Sequence, residues 1–371
     1  MRRIARLSMN LMVAFVALWG LAACSGPAQE SKVRVLWPLP PEQPRVEWLG
    51  TYSSEDSFPK TDAQKRLEAI VGKPPLQTFR MPFGITSDGK GRVFVSDSVA
   101  GNVYIYDLNA RTISFLDPVG NMFQRPGGMA MDGAGNLYVA DFELRGVTVF
   151  NPAGKRTGFY TDESMVAPAF VAVDDQRDRV YISDPRAHKI HVFSRDGRKL
   201  PALGENIPAE HEFTGPTGIA VGPDGSLYVA MQLKALIYVL SPQGEVLRTF
   251  GERGDQVYQF EAPRDLAFDG EGNLWVADVR RNGIFTYAPD GRLLLVTGGE
   301  KNLGSPFGFA TPSGIFVDRN NIVYVVDRLF KRFSMWRYLD ARYLAEHPLT
   351  PEELANLERL VKEAQTRPDA K

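Results

Sequence analysis

The chain has a single cysteine in 371 residues, Cys24. No disulfide can form within one copy, so stability has to come from packing. Histidine is nearly as scarce. His188, His191, His211 and His347 are the full set, which leaves few nitrogen donors for a transition metal. Neither sign of charge dominates, with 43 Lys and Arg against 44 Asp and Glu. A net charge of −1 gives no global attraction to nucleic acid. No apolar run reaches the roughly 20 residues of a membrane-spanning helix. Gly-x-Ser-x-Gly, His-Glu-x-x-His and Cys-x-x-Cys-His are all missing. Nothing therefore supports a nucleophile elbow, a zincin helix or covalent haem.

What is present begins with an address. Arg2, Arg3 and Arg6 precede an unbroken apolar run over residues 11–23, the layout of a secretory signal. The run ends Leu21-Ala22-Ala23-Cys24, which resembles the lipobox of bacterial lipoproteins. That resemblance implies cleavage before Cys24, acylation of its thiol and anchoring by several acyl chains. Removing residues 1–23 takes away three arginines, leaving 348 residues with a formal charge of −4. Ser25 follows the cysteine where some lipoproteins carry Asp, and likeness to Gram-negative lipoproteins implies an outer-membrane anchor facing the periplasm. Residues 24–44 read as a lipidated, proline-rich tether. Pro38, Pro40, Pro41 and Pro44 demand extended backbone, and Leu36 and Trp37 are expected to lie against the folded body.

The body of the chain is a repeat. The cleanest copy runs Pro126-Gly127-Gly128-Met129-Ala130-Met131-Asp132-Gly133-Ala134-Gly135-Asn136-Leu137-Tyr138-Val139-Ala140-Asp141. Related copies open at Pro82, Pro168, Pro216, Pro263 and Pro312, and close at Asp97, Asp184, Met231, Asp278 and Asp327. The closing positions are 44, 43, 47, 47 and 49 residues apart. A period in the forties, rich in β-branched and aromatic residues, indicates an array of small antiparallel sheets. Each copy reads as four strands joined by Gly-, Pro-, Asp- and Asn-rich turns. Six such sheets predict an all-β, six-bladed β-propeller of four-stranded antiparallel blades. The sixth copy lacks an evident fourth strand. Residues 45–52 are expected to supply it and close the ring; the alternative is a separate N-terminal element. Short helices are predicted over 61–71, stopped by Gly72, and from 351 to about 364, behind Thr350 as N-cap. The expected domains are therefore a signal peptide (1–23), a tether (24–44), a propeller (45–340) and a helical tail (341–371).

The pattern Pro-x-Gly-Ile-Ala-Val-Asp…Gly-x-Leu-Tyr-Val-Ala-Asp resembles the NHL repeat over residues 79–336. All six copies keep the opening proline, while Met231, Phe170 and Asp265 depart from it. The combination with a lipobox resembles lipoproteins found beside multihaem cytochromes. The resemblance thus implies a protein partner in the envelope, a cytochrome or another envelope protein. It also implies an alternative, because similar propellers include lactonases and lyases that hold a metal at the axial channel.

The two residues after each opening proline are expected to approach the axis. Among them only Arg264 and Asp265 are charged. One carboxylate does not make a metal site, so no metal or cofactor is expected. His188 and His191 are three apart along a strand and point to opposite faces. The closing aspartates read as acceptors for the backbone of the following loop. The loops after the second strands gather basic and apolar residues on one face. Met231, Leu233, Lys234, Arg280, Arg281, Arg328, Phe330, Lys331 and Arg332 are the candidate partner-binding set. Acidic loops between blades share that face, so it also reads as a mixed-charge solvated rim. Three functions stay open: a non-catalytic envelope lipoprotein that binds a protein, a periplasmic metal-dependent lactonase or lyase, and a ligand-sensing propeller.

Overall fold

The structure, a computed structural model, describes residues 34–205, 207–299 and 303–366. Cys24 and the signal segment lie outside these residues. Among the described residues no helix is long and apolar enough to cross a membrane.

Alternation of side chains along β-strands makes each repeat a blade. In blade 1 the strands are Pro82–Ser87, Arg92–Asp97, Asn102–Asp107 and Thr112–Phe115. Each pairs antiparallel with the next. Blades 2 to 5 repeat this order. The inner strands begin at Pro82, Pro126, Phe170, Pro216, Pro263 and Pro312. They contact one another in a closed cycle, blade 6 returning to blade 1. The second strands show why both faces had to be apolar. In blade 4, Tyr228 and Ala230 pack with blade 5, while Leu227, Val229 and Met231 pack with blade 3. Every seam of the ring has its own hydrophobic cluster of this kind. The core is six wedges, so the ring exceeds the size at which a single core divides.

Near the axis the backbones crowd. A Cβ on Gly218 would lie 2.4 Å from the Cα of Asp265, and one on Gly84 would lie 2.7 Å from the carbonyl oxygen of Gly127. Only glycine fits at such seams. Polar bonds join neighbouring blades there. Ser96 Oγ donates to Gly127 O (2.6 Å), Gly128 N to Ala169 O (2.7 Å) and Ser313 Oγ to Phe83 O (2.9 Å).

The ring is closed by the strand Val46–Tyr52, which pairs with Arg332–Tyr338; Val46 faces Tyr338 and Tyr52 faces Phe333. One boundary differs from expectation. Val35–Trp37 forms a further strand on Val46–Tyr52, giving blade 6 five strands. Leu36 is buried, and Trp37 donates from Nε1 to Val296 O of blade 5 (3.2 Å) and lies 5.7 Å from the Phe307 ring. The folded body therefore begins at Val35, inside the segment read as tether. Pro38, which follows Trp37, ends this three-residue strand at the sheet edge.

Among the described residues three α-helices flank the ring: α1 (Asp62–Val71), α2 (Ala341–Glu346) and α3 (Pro351–Thr366). Thr61 and Gln64 form a capping box on α1, and Gly72 ends it at φ +82°. The helix buries no residue. Asp340 caps α2, which the sequence reading missed, by accepting from Tyr343 N. Leu357 of α3 packs on Leu36 and Leu339.

Candidate functional site at the axial mouth

Pro82 pairs with Asp97, the start of an inner strand opposite the end of its neighbour. The linkers between blades and the loops after the closing aspartates therefore share one face, the mouth. The closing aspartates build it. Asp278 accepts from Glu261 N (2.8 Å) and Ala262 N (2.9 Å) in the preceding linker, and from Arg280 N and Arg281 N (3.0 Å each) in the following loop. Asp97 does the same with Arg80, Met81, Val99 and Ala100. Their carboxylates are spent on backbone, including a linker contact that the sequence reading did not include. Blade 4 has Met231 in this place, and there the linker amide of Gly215 donates to His188 Nδ1 at 3.1 Å. A histidine from blade 3 thus takes over the missing carboxylate's role. His191 is buried on the strand that follows, Lys189–Ser194, its Nε2 3.5 Å from Asp184 Oδ2.

At the axis three alternate blades meet. Phe83 of blade 1 is 3% exposed; its ring centre lies 5.3 Å from that of Phe170 in blade 3. The guanidinium carbon of Arg264, from blade 5, sits 4.6 Å from the same Phe83 centre. Such residues can touch only across the axis, so Phe83 stops the passage and turns the mouth into a bowl. Phe142 stands edge-on to Phe83 at 5.2 Å, and Arg125 lies over Phe142 at 5.5 Å. Arg328 is half-buried and its Nη2 contacts the Met81 sulfur.

Arg264 and Asp265 were candidates as a pair, but they are not ion-paired. Asp265 turns to the backbone, accepting from Leu266 N and Ile315 N at 2.9 Å each. Burial pushes the Asp265 carboxyl up to about 7, against the pull of those amides and of Arg264. Arg264 makes no hydrogen bond or ion pair with any described residue, and its Nε is buried without a partner. Burial, and then the like charge of Arg328, bring it down to about 10. Arg328 is itself lowered by burial and by Arg125. Three guanidinium groups therefore converge on an aromatic floor. Arg125 alone has a carboxylate contact, an exposed one to Glu143 at 3.4 Å.

The metal that the family likeness implies does not fit these residues. Both Asp265 oxygens are engaged, and among the described residues no three His, Cys, Asp or Glu come together as a donor set.

The proposed partner-binding set divides. Met231 is fully buried in the seam between blades 3 and 4, so it offers no surface. Arg332 is buried too, and donates to the carbonyls of Leu303, Ser305 and Gly308. Arg281 holds the carbonyls of Asp255 and Gln256, and Lys234 binds Glu212 O and Tyr238 Oη. These side chains fasten the linkers between blades. Arg280 is exposed beside Glu261, at 3.3 Å. Leu233 and Lys331 remain exposed, with Phe330 half-buried under Arg332. Arg328 belongs to the bowl. Sequence reasoning missed Phe142, Arg125 and Met81, which lie one residue outside the repeat boundaries. Counting one position before each opening proline and one after each closing aspartate would have found all three, with Arg328.

A cleft of about 280 Å3 at the outer edge of blades 4 and 5 is lined by Tyr228, Arg248 and Phe250. Arg248 there already bonds Tyr228 Oη, and the cleft lies away from the axis.

No family model and no curated protein matches the chain. Solved structures do. A Bacteroides thetaiotaomicron protein of unknown function is 17% identical, covering 70% of each chain at a TM-score of 0.59. A putative gluconolactonase is 18% identical, covering 70% of this chain and 89% of that one at 0.52. Virginiamycin B lyase from Staphylococcus aureus, solved with quinupristin, is 13% identical, covering 69% and 94% at 0.51. At such identities these similarities establish the six-bladed propeller fold alone.

Proposed function

We propose that this chain is a non-catalytic cell-envelope lipoprotein, anchored through Cys24 to the outer membrane and facing the periplasm. Its NHL-type propeller serves as a platform for a protein partner, an envelope cytochrome or another envelope protein. The observation that carries the reading is the bowl. A guanidinium without an acceptor lies there on an aromatic floor, at the place where a metal enzyme needs converging oxygen or nitrogen donors. Exposed Leu233, Leu329 and Lys331 on the same face extend that surface. Aromatic residues and arginine are enriched in the cores of protein–protein interfaces.

The test uses the full chain in cells. Radiolabelled palmitate should enter the wild type and not Cys24→Ser. A photo-crosslinker at Leu329 should give one discrete adduct, lost on combined Arg328→Glu and Lys331→Glu. Labelling that survives Cys24→Ser removes the anchor, and an adduct indifferent to both charge reversals removes the platform.

A second reading, a periplasmic lactonase or lyase at the same mouth, draws on the likeness to the gluconolactonase and the lyase. It also draws on Asp265, whose raised carboxyl is near the range of a general base. Tightly held Ca2+ or Zn2+, lost on Asp265→Ala, would favour it.

A further inference from the structure

We propose that the axial bowl is a binding site for a carboxylate carried on an aromatic or branched apolar group, with Arg264 as anchor and Phe83 as floor. The inference deepens the reading of the mouth as a binding surface and is independent of the lipid anchor.

A half-buried arginine whose Nε is shut off from solvent ordinarily pairs with a carboxylate. Arg264 has none, although Asp265 is its neighbour in sequence. Its guanidinium carbon lies 4.6 Å from the Phe83 ring centre, with a weaker attraction from Asp265, and a guanidinium over a ring keeps its fork of N–H donors free at the edge of its plane. That fork matches a carboxylate in two parallel hydrogen bonds. Arg328 and Arg125 stand nearby, and the closest buried acid, Asp97, has its carboxylate spent on backbone amides. Each depresses its neighbour's ionisation through like charge, a repulsion that an incoming anion relieves.

The walls choose the rest of the ligand. Phe142, half-buried, stands edge-on to the buried Phe83 at 5.2 Å, and Phe83 lies 5.3 Å from the buried Phe170, so the side chain exposed beside Arg264 is aromatic, which suits an apolar group next to the acid. A dianionic phosphate is disfavoured. Its dehydration costs more than that of a single carboxylate. The carboxylate has two possible sources, a free organic acid or the C-terminus of a partner chain, and both present the same chemistry to Arg264.

Calorimetric titration of the full-length protein in detergent tests this. The probes are 3-phenylpropionate, 3-phenylpropionamide, phenyl phosphate, and the peptide Gly-Gly-Phe as acid and as amide. At least one of the two carboxylates should bind, about tenfold or more tighter than its amide and tighter than phenyl phosphate. Arg264→Gln should lose that preference and Arg264→Lys should recover only part of it. An unchanged melting temperature in Arg264→Gln confirms that folding is intact; if it falls, Arg328→Gln, at the rim, serves instead and should weaken the acid selectively. Binding of the free acid alone identifies a small molecule, and binding of the peptide acid alone identifies a partner's C-terminus. Equal binding of acid and amide, preference for the phosphate, no binding of either acid, or indifference to both arginine substitutions overturns the proposal. A crosslink at Leu329 that persists in such a case leaves the platform reading standing without its carboxylate site.

Discussion

Arg264 of blade 5 lies on the ring of Phe83 from blade 1, 4.6 Å from its centre, so the two residues meet across the propeller axis. One is the floor of a closed passage and the other an unsatisfied cation above it. The character of the mouth follows from this pair.

Phe83→Ala should remove the plug. The ring is 3% exposed and packs with Phe142 and Phe170, so its loss should lower stability by about 3–5 kcal/mol. Urea unfolding measures this. A cost below about 1 kcal/mol would mean that the axis is not packed as described.

Asp265 makes stability depend on pH. Its carboxyl sits near 7 in the fold and near 4 in the unfolded chain. Between these values the folded state keeps a proton that the unfolded state has lost. Its contribution to stability is therefore greatest at the acid end and falls as pH rises through 7. The melting temperature of the wild type should drop by several degrees between pH 5 and 8.5, and the drop should be smaller in Asp265→Asn. Equal slopes in the two proteins would refute the assignment.

Arg332 and Lys331 are adjacent and should behave oppositely. Arg332→Ala strands three linker carbonyls beside a buried void and should cost about 2–4 kcal/mol. Lys331→Ala, on the exposed loop, should stay within about 0.5 kcal/mol. Similar costs for both would contradict the division of that face into fasteners and free surface.

His188 stands in for the carboxylate that Met231 lacks. His188→Ala should leave the buried Gly215 amide unsatisfied and cost about 1–3 kcal/mol. Asp278→Ala removes the acceptor of four amides and should cost clearly more. The reverse order would show that blade 4 is held in another way.

The ring was legible because every blade restates it. The spacing of the closing aspartates set the number of blades, and the orphan segment at Val46 matched the fourth strand that blade 6 lacks. The strand Val35–Trp37 was not legible, because three residues running into Pro38 are too few to carry a periodicity. The site was legible by position only. Arg264, Asp265, Phe83 and Phe170 could be placed near the axis, but the amides that Asp265 reaches, Leu266 N and Ile315 N of the next blade, are not visible in neighbouring letters. Basic loop residues read as surface because a linear sequence does not show which carbonyls an arginine will reach. Arg281 and Arg332 reach the linkers beside them.

The most direct test of the bowl as a carboxylate site rather than a metal site is one melting series on the full-length protein, with 3-phenylpropionate, with CaCl2 or ZnCl2, and with EDTA. At a ligand concentration about 100 times its Kd, binding to the folded state adds about 2.7 kcal/mol. The melting temperature should then rise with the carboxylate in the wild type, not in Arg264→Gln, and stay unmoved by metal or EDTA. A rise with Ca2+ or Zn2+ that Asp265→Ala abolishes, with none from the carboxylate, would contradict it.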